Sequence, residues 1–131
     1  MFIRDVVQID RPFEAVAPRF LRDPAWLEPL LSSAAGDGMA RCQRGTARRR
    51  ADSLVVPIRW ALESTAASWS LEGDLAIAPI SVSRSAVTFE ATYTLRDEGI
   101  RSGLGTEQAV AGSVRVFLSC LGRALHMDDG W

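Results

Sequence analysis

The feature of this sequence that most constrains its fold is an alternation of apolar and polar residues, which runs through most of positions 54–95. It is clearest in residues 85–95, where Val87, Phe89 and Tyr93 alternate with threonine and glutamate. Successive side chains of a β-strand point to opposite faces, so the pattern predicts strands with one buried and one hydrated face. Strands of this kind are typical of an antiparallel sheet.

Other parts of the chain carry further strand signals. Residues 54–63 and 68–78 alternate in the same way, and residues 2–10 place three apolar side chains on one face. Residues 39–52 are predicted to hold two weaker strands joined by a turn. Pro57 lacks a backbone donor, so it predicts an edge or a bulge in the strand that contains it. Together these signals predict six strands.

Helical periodicity predicts two short helices early in the chain and one long helix near its end. The first helix covers residues 12–22, with Pro18 expected to kink or split it. A second short helix follows and leads into a predicted loop over residues 32–38. The long helix is predicted over residues 106–126, with Thr106 as its cap. Its apolar stripe contains Val110, Ser113, Val114, Phe117, Leu118, Leu121, Ala124 and Leu125.

The charged residues exclude several classes of function. All fifteen basic residues are arginine, which excludes a Schiff-base lysine and a phosphate-loop lysine. The chain has one histidine, His126, and two cysteines, Cys42 and Cys120, which are too few for a zinc site with three or four such ligands. We therefore predict no metal and no cofactor. The net charge of −1 argues against nucleic-acid binding by the whole domain.

The sequence also bears on location and domain count. The longest stretch without a charged residue is residues 75–83, which is short of the roughly 20 residues that cross a membrane. Arg4 and Asp5 stand close to the start, where a secretory leader would have an apolar segment. Two cysteines far apart in sequence favour free thiols. These observations predict one domain over residues 1–131, without a membrane span, in the cytoplasm.

The order of the predicted elements, with four local stretches of sequence, resembles the START-like (SRPBCC) superfamily. The stretches are residues 7–16, 23–26, 56–60 and 71–75. This superfamily includes the birch-pollen-allergen fold and polyketide cyclase/dehydrase-like proteins, and the last two stretches look like a branch of it from high-GC bacteria. The resemblance implies an α+β helix-grip fold, in which a curved antiparallel sheet of six to seven strands wraps around the long C-terminal helix.

The resemblance also implies a function. START-like proteins hold a hydrophobic or amphipathic small molecule, such as a lipid or a polyketide-like compound, in a cavity between sheet and helix. Two alternatives stay open: an enzyme of the polyketide cyclase/aromatase type, and an interaction module for a protein or anionic partner that uses the edge Arg41–Arg50. The absence of lysine and the single histidine and tyrosine leave few groups for proton transfer, which favours binding over catalysis. A homodimer is also left open.

Nine inward-facing residues are predicted to line the cavity, although filling the core is the simpler role for each large ring. Tyr93, the only tyrosine, is the candidate for a catalytic hydrogen-bond donor, and the alternative is a core tyrosine bonded to backbone or water. The nine residues are Trp60, Trp69, Val87, Phe89, Tyr93, Val110, Val114, Phe117 and Leu121.

Five arginines lie between residues 41 and 50. Arg48, Arg49 and Arg50 are candidates for binding an anion, because a guanidinium can hold a carboxylate or phosphate with two hydrogen bonds. Strand alternation sends Arg49 to the opposite side from its two neighbours, so at least one guanidinium is expected toward the concave face. The alternative is a solvated edge whose arginines pair with acidic residues of the sheet. Cys42 stands beside these arginines, whose charge would favour a thiolate.

Overall fold

Six strands and three α-helices make up the described part of the computed structural model, which comprises residues 2–22, 24–34, 39–63, 68–95 and 104–127. They follow one another in the predicted order. The elements are β1 (Phe2–Ile9), α1 (Phe13–Arg22), a 3₁₀ turn (Pro24–Trp26), α2 (Leu27–Ala34), β2 (Met39–Arg44), β3 (Arg48–Arg50), β4 (Ser53–Glu63), β5 (Ser68–Ser81), β6 (Arg84–Leu95) and α3 (Leu104–Met127).

The strands of the described residues form one antiparallel sheet with the order β1-β6-β5-β4-β2, and β3 also pairs with β4. Strands β4, β5 and β6 follow one another as a meander, while β1 pairs with β6 from the far end of the chain. The sheet is curved and faces the long helix α3. The predicted α+β helix-grip fold is confirmed, with six strands.

Pro57 lies inside β4 at the point where one neighbouring strand is interrupted. On this side β4 pairs first with β3 and then with β2, and the two leave Pro57 between them. The amide of Gly45 donates to the Pro57 carbonyl at 2.8 Å. Because N–H and C=O of a strand residue point the same way, the missing donor of Pro57 faces this gap. The predicted irregularity therefore occurs where a proline costs no ladder hydrogen bond.

Helix α1 continues through Pro18 and is not split there. The residues around the proline keep it helical, because Val16 and Phe20 are buried in the core on either side of it. The indole N–H of Trp26 also donates to the carbonyl of Arg19 at 3.0 Å, and the Trp26 ring lies 5.1 Å below the Arg19 guanidinium. Tertiary packing thus outweighs the single backbone bond that a proline removes.

Two other helix limits differ from the prediction. The segment 32–38 was expected to be a loop, but α2 continues to Ala34, and the rest of that segment lies outside the described residues. The helix continues because Leu31 and Ala34 are both buried and lie one turn apart. Helix α3 begins at Leu104, so Thr106 lies within its first turn and is not its cap.

The inner face of the sheet and the buried faces of the helices form one apolar core. Ser85 is the polar side chain buried in it among the described residues, and its hydroxyl donates to the carbonyl of Arg11 at 2.8 Å. No helix of the described residues is both long and apolar enough to cross a membrane. The fully buried large residues include Trp60, Trp69, Phe20, Phe89, Phe117, Ile9, Leu27, Leu31, Leu54, Ile58, Leu75 and Ile77.

Candidate functional site between the sheet and helix α3

Helix α3 approaches the sheet most closely at strand β1. Gly122 is buried there, and a methyl group at its Cα would lie 3.2 Å from Val7 Cγ2 and 3.7 Å from Ile9 Cδ1. Glycine is therefore the residue that lets the helix backbone rest almost directly on the strand. We call this contact of Gly122 with Val7 and Ile9 the seam. The periodicity of the apolar stripe did not include Gly122, since a glycine adds nothing to a hydrophobic pattern.

The C-terminal end of α3 is fastened beside the seam by polar contacts. The Asp10 amide donates to His126 Nε2 at 2.9 Å, and Arg11 Nη2 donates to the His126 carbonyl at 3.1 Å. The Asp10 carboxylate in turn pairs with Arg84 Nε at 2.9 Å. The histidine is exposed, as its place outside the stripe predicted, and it acts as a hydrogen-bond acceptor for the chain entering α1.

Over the central strands the helix is held differently. The backbone of α3 packs closely on β1 and on α2 and comes less close to β5 and β6. Large rings bridge the intervening space. The ring centroids of Trp60 and Trp69 are 5.1 Å apart, those of Trp60 and Phe117 are 5.9 Å apart, and those of Phe89 and Phe117 are 6.0 Å apart. We call these four residues, Trp60, Trp69, Phe89 and Phe117, the aromatic layer.

The sheet below the aromatic layer has a sparse centre. Gly73 of β5 pairs with Ala91 of β6 and Ile58 of β4, and all three belong to the inner face. A methyl group on Gly73 would clash with the backbone of β6 at Glu90 and Ala91, so only glycine permits this close approach. The inner face therefore has no side chain at Gly73 and only a methyl group at Ala91, its partner on the neighbouring strand.

All nine residues predicted to line a cavity lie at the interface between the sheet and α3. Eight are buried, and Tyr93 is half-buried at the rim. Four of them, the members of the aromatic layer, contact one another ring to ring. The structure thus brings the predicted residues together, and their contact with a ligand stays a prediction. An open groove of about 400 Å³ lies on the opposite, outer face of the sheet, where Arg41, Arg59 and Glu72 are among its polar lining.

The aromatic layer contains two unusual donors. The indole N–H groups of Trp60 and Trp69 are buried and find no hydrogen-bond acceptor among the described residues. The rings meet edge to face at an interplanar angle of 88°. Leaving a buried donor without a partner costs about 1–3 kcal/mol, so such groups are rare in native structures. Alternating hydrophobicity placed these rings inward but said nothing about their N–H groups.

The described site has few groups suited to acid–base or nucleophilic chemistry. No cluster of histidine, cysteine and carboxylate side chains that could hold a metal occurs in the described residues. The pKa of the Cys42 thiol is raised, first because burial disfavours the thiolate and then by the Glu28 carboxylate. A hydrogen bond from Ser32 and the charge of Arg44 act in the opposite direction without reversing this. Burial and Glu28 thus oppose the activation of Cys42 that its arginine neighbours suggested.

The arginines of β3 point into solvent. Arg49 pairs with Leu54 and so belongs to the inner side of the sheet, but like Arg48 and Arg50 it is exposed. The expectation that one of these arginines lies toward the concave side holds for Arg49 by its register, but β3 lies at the border of the sheet beyond the core, so its side chain is in solvent. No ion pair of these three arginines occurs within the described residues. Of the acidic groups expected as their partners, Glu72, Asp74 and Glu90, two pair elsewhere: Glu72 with Arg59 and Glu90 with Arg4.

The fold was compared with known proteins. No family model and no curated protein matches the chain. Among solved structures, a conserved protein from Geobacillus kaustophilus has a TM-score of 0.58 and 12% identity, covering 95% of this chain and 97% of that chain. A START superfamily protein from Mycobacterium smegmatis has a TM-score of 0.52 and 9% identity, covering 95% and 96%. The fold is START-like.

A third solved structure with this START-like fold belongs to a biosynthetic pathway. The di-domain ARO/CYC BexL of the BE-7585A biosynthetic pathway has a TM-score of 0.55 and 13% identity, covering 94% of this chain and 45% of that one. This chain thus spans about half of the two-domain protein. The three likenesses confirm the fold that the resemblance predicted, and at these identities they describe the fold alone.

Proposed function

We propose that this chain binds a hydrophobic or amphipathic small molecule between the sheet and α3 and does not transform it. The observation that carries the proposal is the uneven support of α3. The helix backbone packs closely on β1 and α2 and comes less close to β5 and β6, where the rings of the aromatic layer lie between helix and sheet. In a START-like fold this is the space that a ligand would occupy, by displacing rings of the aromatic layer.

The chemistry of the inner face supports binding rather than catalysis. The inner positions of β4, β5 and β6 are apolar except for Ser85 and Tyr93, and the Ser85 hydroxyl already bonds to the Arg11 carbonyl. Proton transfer needs an acid and a base at matched positions. A single half-buried tyrosine hydroxyl does not supply such an acid–base pair. We therefore assign Tyr93 to positioning the ligand at the rim and set the cyclase alternative aside.

Size considerations support a ligand of modest dimensions. Small-molecule sites usually have volumes of about 300–1,000 Å³. The aromatic layer lies over the positions of Gly73 and Ala91, which hold almost no side-chain volume. Movement of the Phe117 ring, which contacts Trp60 and Phe89, would open space within the layer. A flat or slender apolar molecule fits this arrangement better than a branched one.

The proposal is tested by thermal shift with fatty acids, isoprenoids and polyketide-like aromatic compounds. A ligand of the folded state raises the melting temperature by mass action. Val114→Trp adds a ring on the buried face of α3 and should abolish the shift. Val116→Trp is the matched control, because Val116 lies on the same helix with 48% of its surface exposed. A shift that persists in Val114→Trp, or the absence of any shift across the panel, contradicts the proposal.

The setting proposed for this function is a single domain in the cytoplasm, as the sequence predicts. Both cysteines are free thiols and neither is part of a cross-link. The partner is the small molecule itself, and with a net charge of −1 nucleic acid is not expected as a partner. Analytical ultracentrifugation with and without the ligand distinguishes a monomeric carrier from a homodimer.

A further inference from the structure

The buried indole N–H groups of two tryptophans indicate which polar group a ligand would need. Trp60 is 1% exposed and Trp69 is 0% exposed, and neither indole N–H has an acceptor among the described residues. Every other group within the aromatic layer is hydrocarbon. A donor in such surroundings can be satisfied only by an aromatic ring face or by a molecule that enters the layer.

The geometry of the Trp60–Trp69 pair limits how many of the two N–H groups can be satisfied by a neighbouring ring face. The two indoles meet edge to face, with centroids 5.1 Å apart and an interplanar angle of 88°. In an edge-to-face pair one ring directs its edge at the face of the other, so at most one of the two N–H groups can point at its neighbour's π-system. The pair itself therefore leaves at least one buried N–H without its neighbour's ring face as a partner.

The charge of the surroundings limits what an acceptor can be. Among the basic side chains on the strand positions near Trp60, Arg41 and Arg59 belong to the outer face of the sheet, and Arg44 on the inner face already lies against the Glu28 carboxylate at 3.8 Å. An anionic acceptor in the layer would be buried without a cation, which is strongly unfavourable. An uncharged oxygen avoids this penalty and still accepts from an indole.

We propose that the ligand is a flat apolar molecule with an uncharged acceptor oxygen, a carbonyl or an ether, that receives the indole N–H of Trp60 or Trp69. This inference rests on the function proposed above and adds the ligand's polar group to it. The apolar body replaces contacts of the aromatic layer, and the oxygen fixes its orientation. The site would then distinguish ketones from both hydrocarbons and carboxylates of the same shape.

Three matched probes test this: fluorene, 9-fluorenone and fluorene-9-carboxylate, with affinities measured by quenching of tryptophan fluorescence. Water solvates the ketone better than the hydrocarbon, so a site without a donor prefers fluorene. We expect fluorenone to bind about fivefold tighter than fluorene, the effect of one net hydrogen bond, and also tighter than the carboxylate. Equal or weaker binding of fluorenone while fluorene binds overturns this inference and leaves the proposed function standing. No binding of any probe overturns both.

Nuclear magnetic resonance of the indole N–H groups locates the bond. Tryptophan-to-phenylalanine variants assign the resonances, and fluorenone should move that of Trp60 or Trp69 downfield while fluorene does not. Trp26 is an internal reference, because its N–H already donates to the Arg19 carbonyl at 3.0 Å. A fluorenone complex in which neither resonance of the pair moves contradicts the inference, even if a variant fails to fold.

Variants complete the test. Trp60→Phe and Trp69→Phe keep an aromatic ring and remove the donor. At least one of them should lose the fluorenone preference, bringing its affinity ratio to about one or below. Trp26→Phe is the matched control and should keep the preference, since Trp26 lies outside the aromatic layer. A preference that survives in both Trp60→Phe and Trp69→Phe overturns the assignment of the donor.

Discussion

Helix α3 is held by two regions that work in opposite ways. At the seam, the absence of a side chain on Gly122 lets the helix backbone rest on Val7 and Ile9. In the aromatic layer, the largest side chains of the chain keep contact across a wider space. The seam therefore sets where the helix lies, and the layer sets what fills the gap.

The difference explains how one helix can be both anchored and able to admit a ligand. Close backbone packing has little freedom to adjust, because protein interiors are dense. Rings can change rotamer while the helix backbone stays in place. Added volume should therefore be harmful at the seam, whereas removed volume should be harmful in the layer.

The largest effect is expected from Phe117→Ala in the aromatic layer. The Phe117 ring contacts both Trp60 and Phe89, so its loss should lower the free energy of unfolding by about 3–5 kcal/mol, measured by urea denaturation. A small apolar molecule such as benzene should restore part of this loss by filling the cavity. A cost below about 1 kcal/mol would show that the layer does not bridge the gap.

A smaller effect is expected at the seam from Gly122→Val. Valine is a better helix former than glycine, so any loss must come from crowding against Val7, and we expect about 1–3 kcal/mol. Gly112→Ala is the matched change, because no atom lies within 4 Å of a methyl group there. It should stabilise the protein by up to about 1 kcal/mol through helix propensity alone. Stabilisation by both variants would disprove the seam.

The hydrogen bonds of His126 beside the seam should contribute less to the free energy of unfolding. His126→Ala removes the acceptor of the Asp10 amide and should cost about 1 kcal/mol, again by urea denaturation. His126→Gln can place a carbonyl oxygen near the position of Nε2 and should recover much of that loss. Equal stability of the two variants would show that the hydrogen bond is not what holds this end of the helix.

The smallest effects are expected far from both regions, at the arginines of β3. Arg48→Ala and Arg50→Ala should each change stability by less than about 0.5 kcal/mol, because exposed charges contribute little. They should also leave ligand binding unchanged. Loss of binding with an intact melting curve would revive an anion-binding role for this edge and weaken the distinction between the interface and the surface.

The sequence by itself determined the elements and their faces. Alternation identified each strand from β4 to β6, and the positions that it assigned to the inner face, such as Val56, Phe89 and Ala91, are buried. The stripe of α3 likewise predicted Val114 and Leu121 as buried. These features are local, because strand and helix periods are set by the backbone within a few residues.

The tertiary structure alone decided where the helices begin and end and which distant residues contact one another. Helix α2 continues to Ala34 and α1 keeps Pro18 because packing outweighs a local signal, and α3 begins before Thr106. The contact of Gly122 with β1 and the Asp10–His126 hydrogen bond join residues more than a hundred positions apart. The unpartnered indole donors likewise follow from which rings meet. Such contacts depend on how distant segments approach, and no period in the chain encodes that.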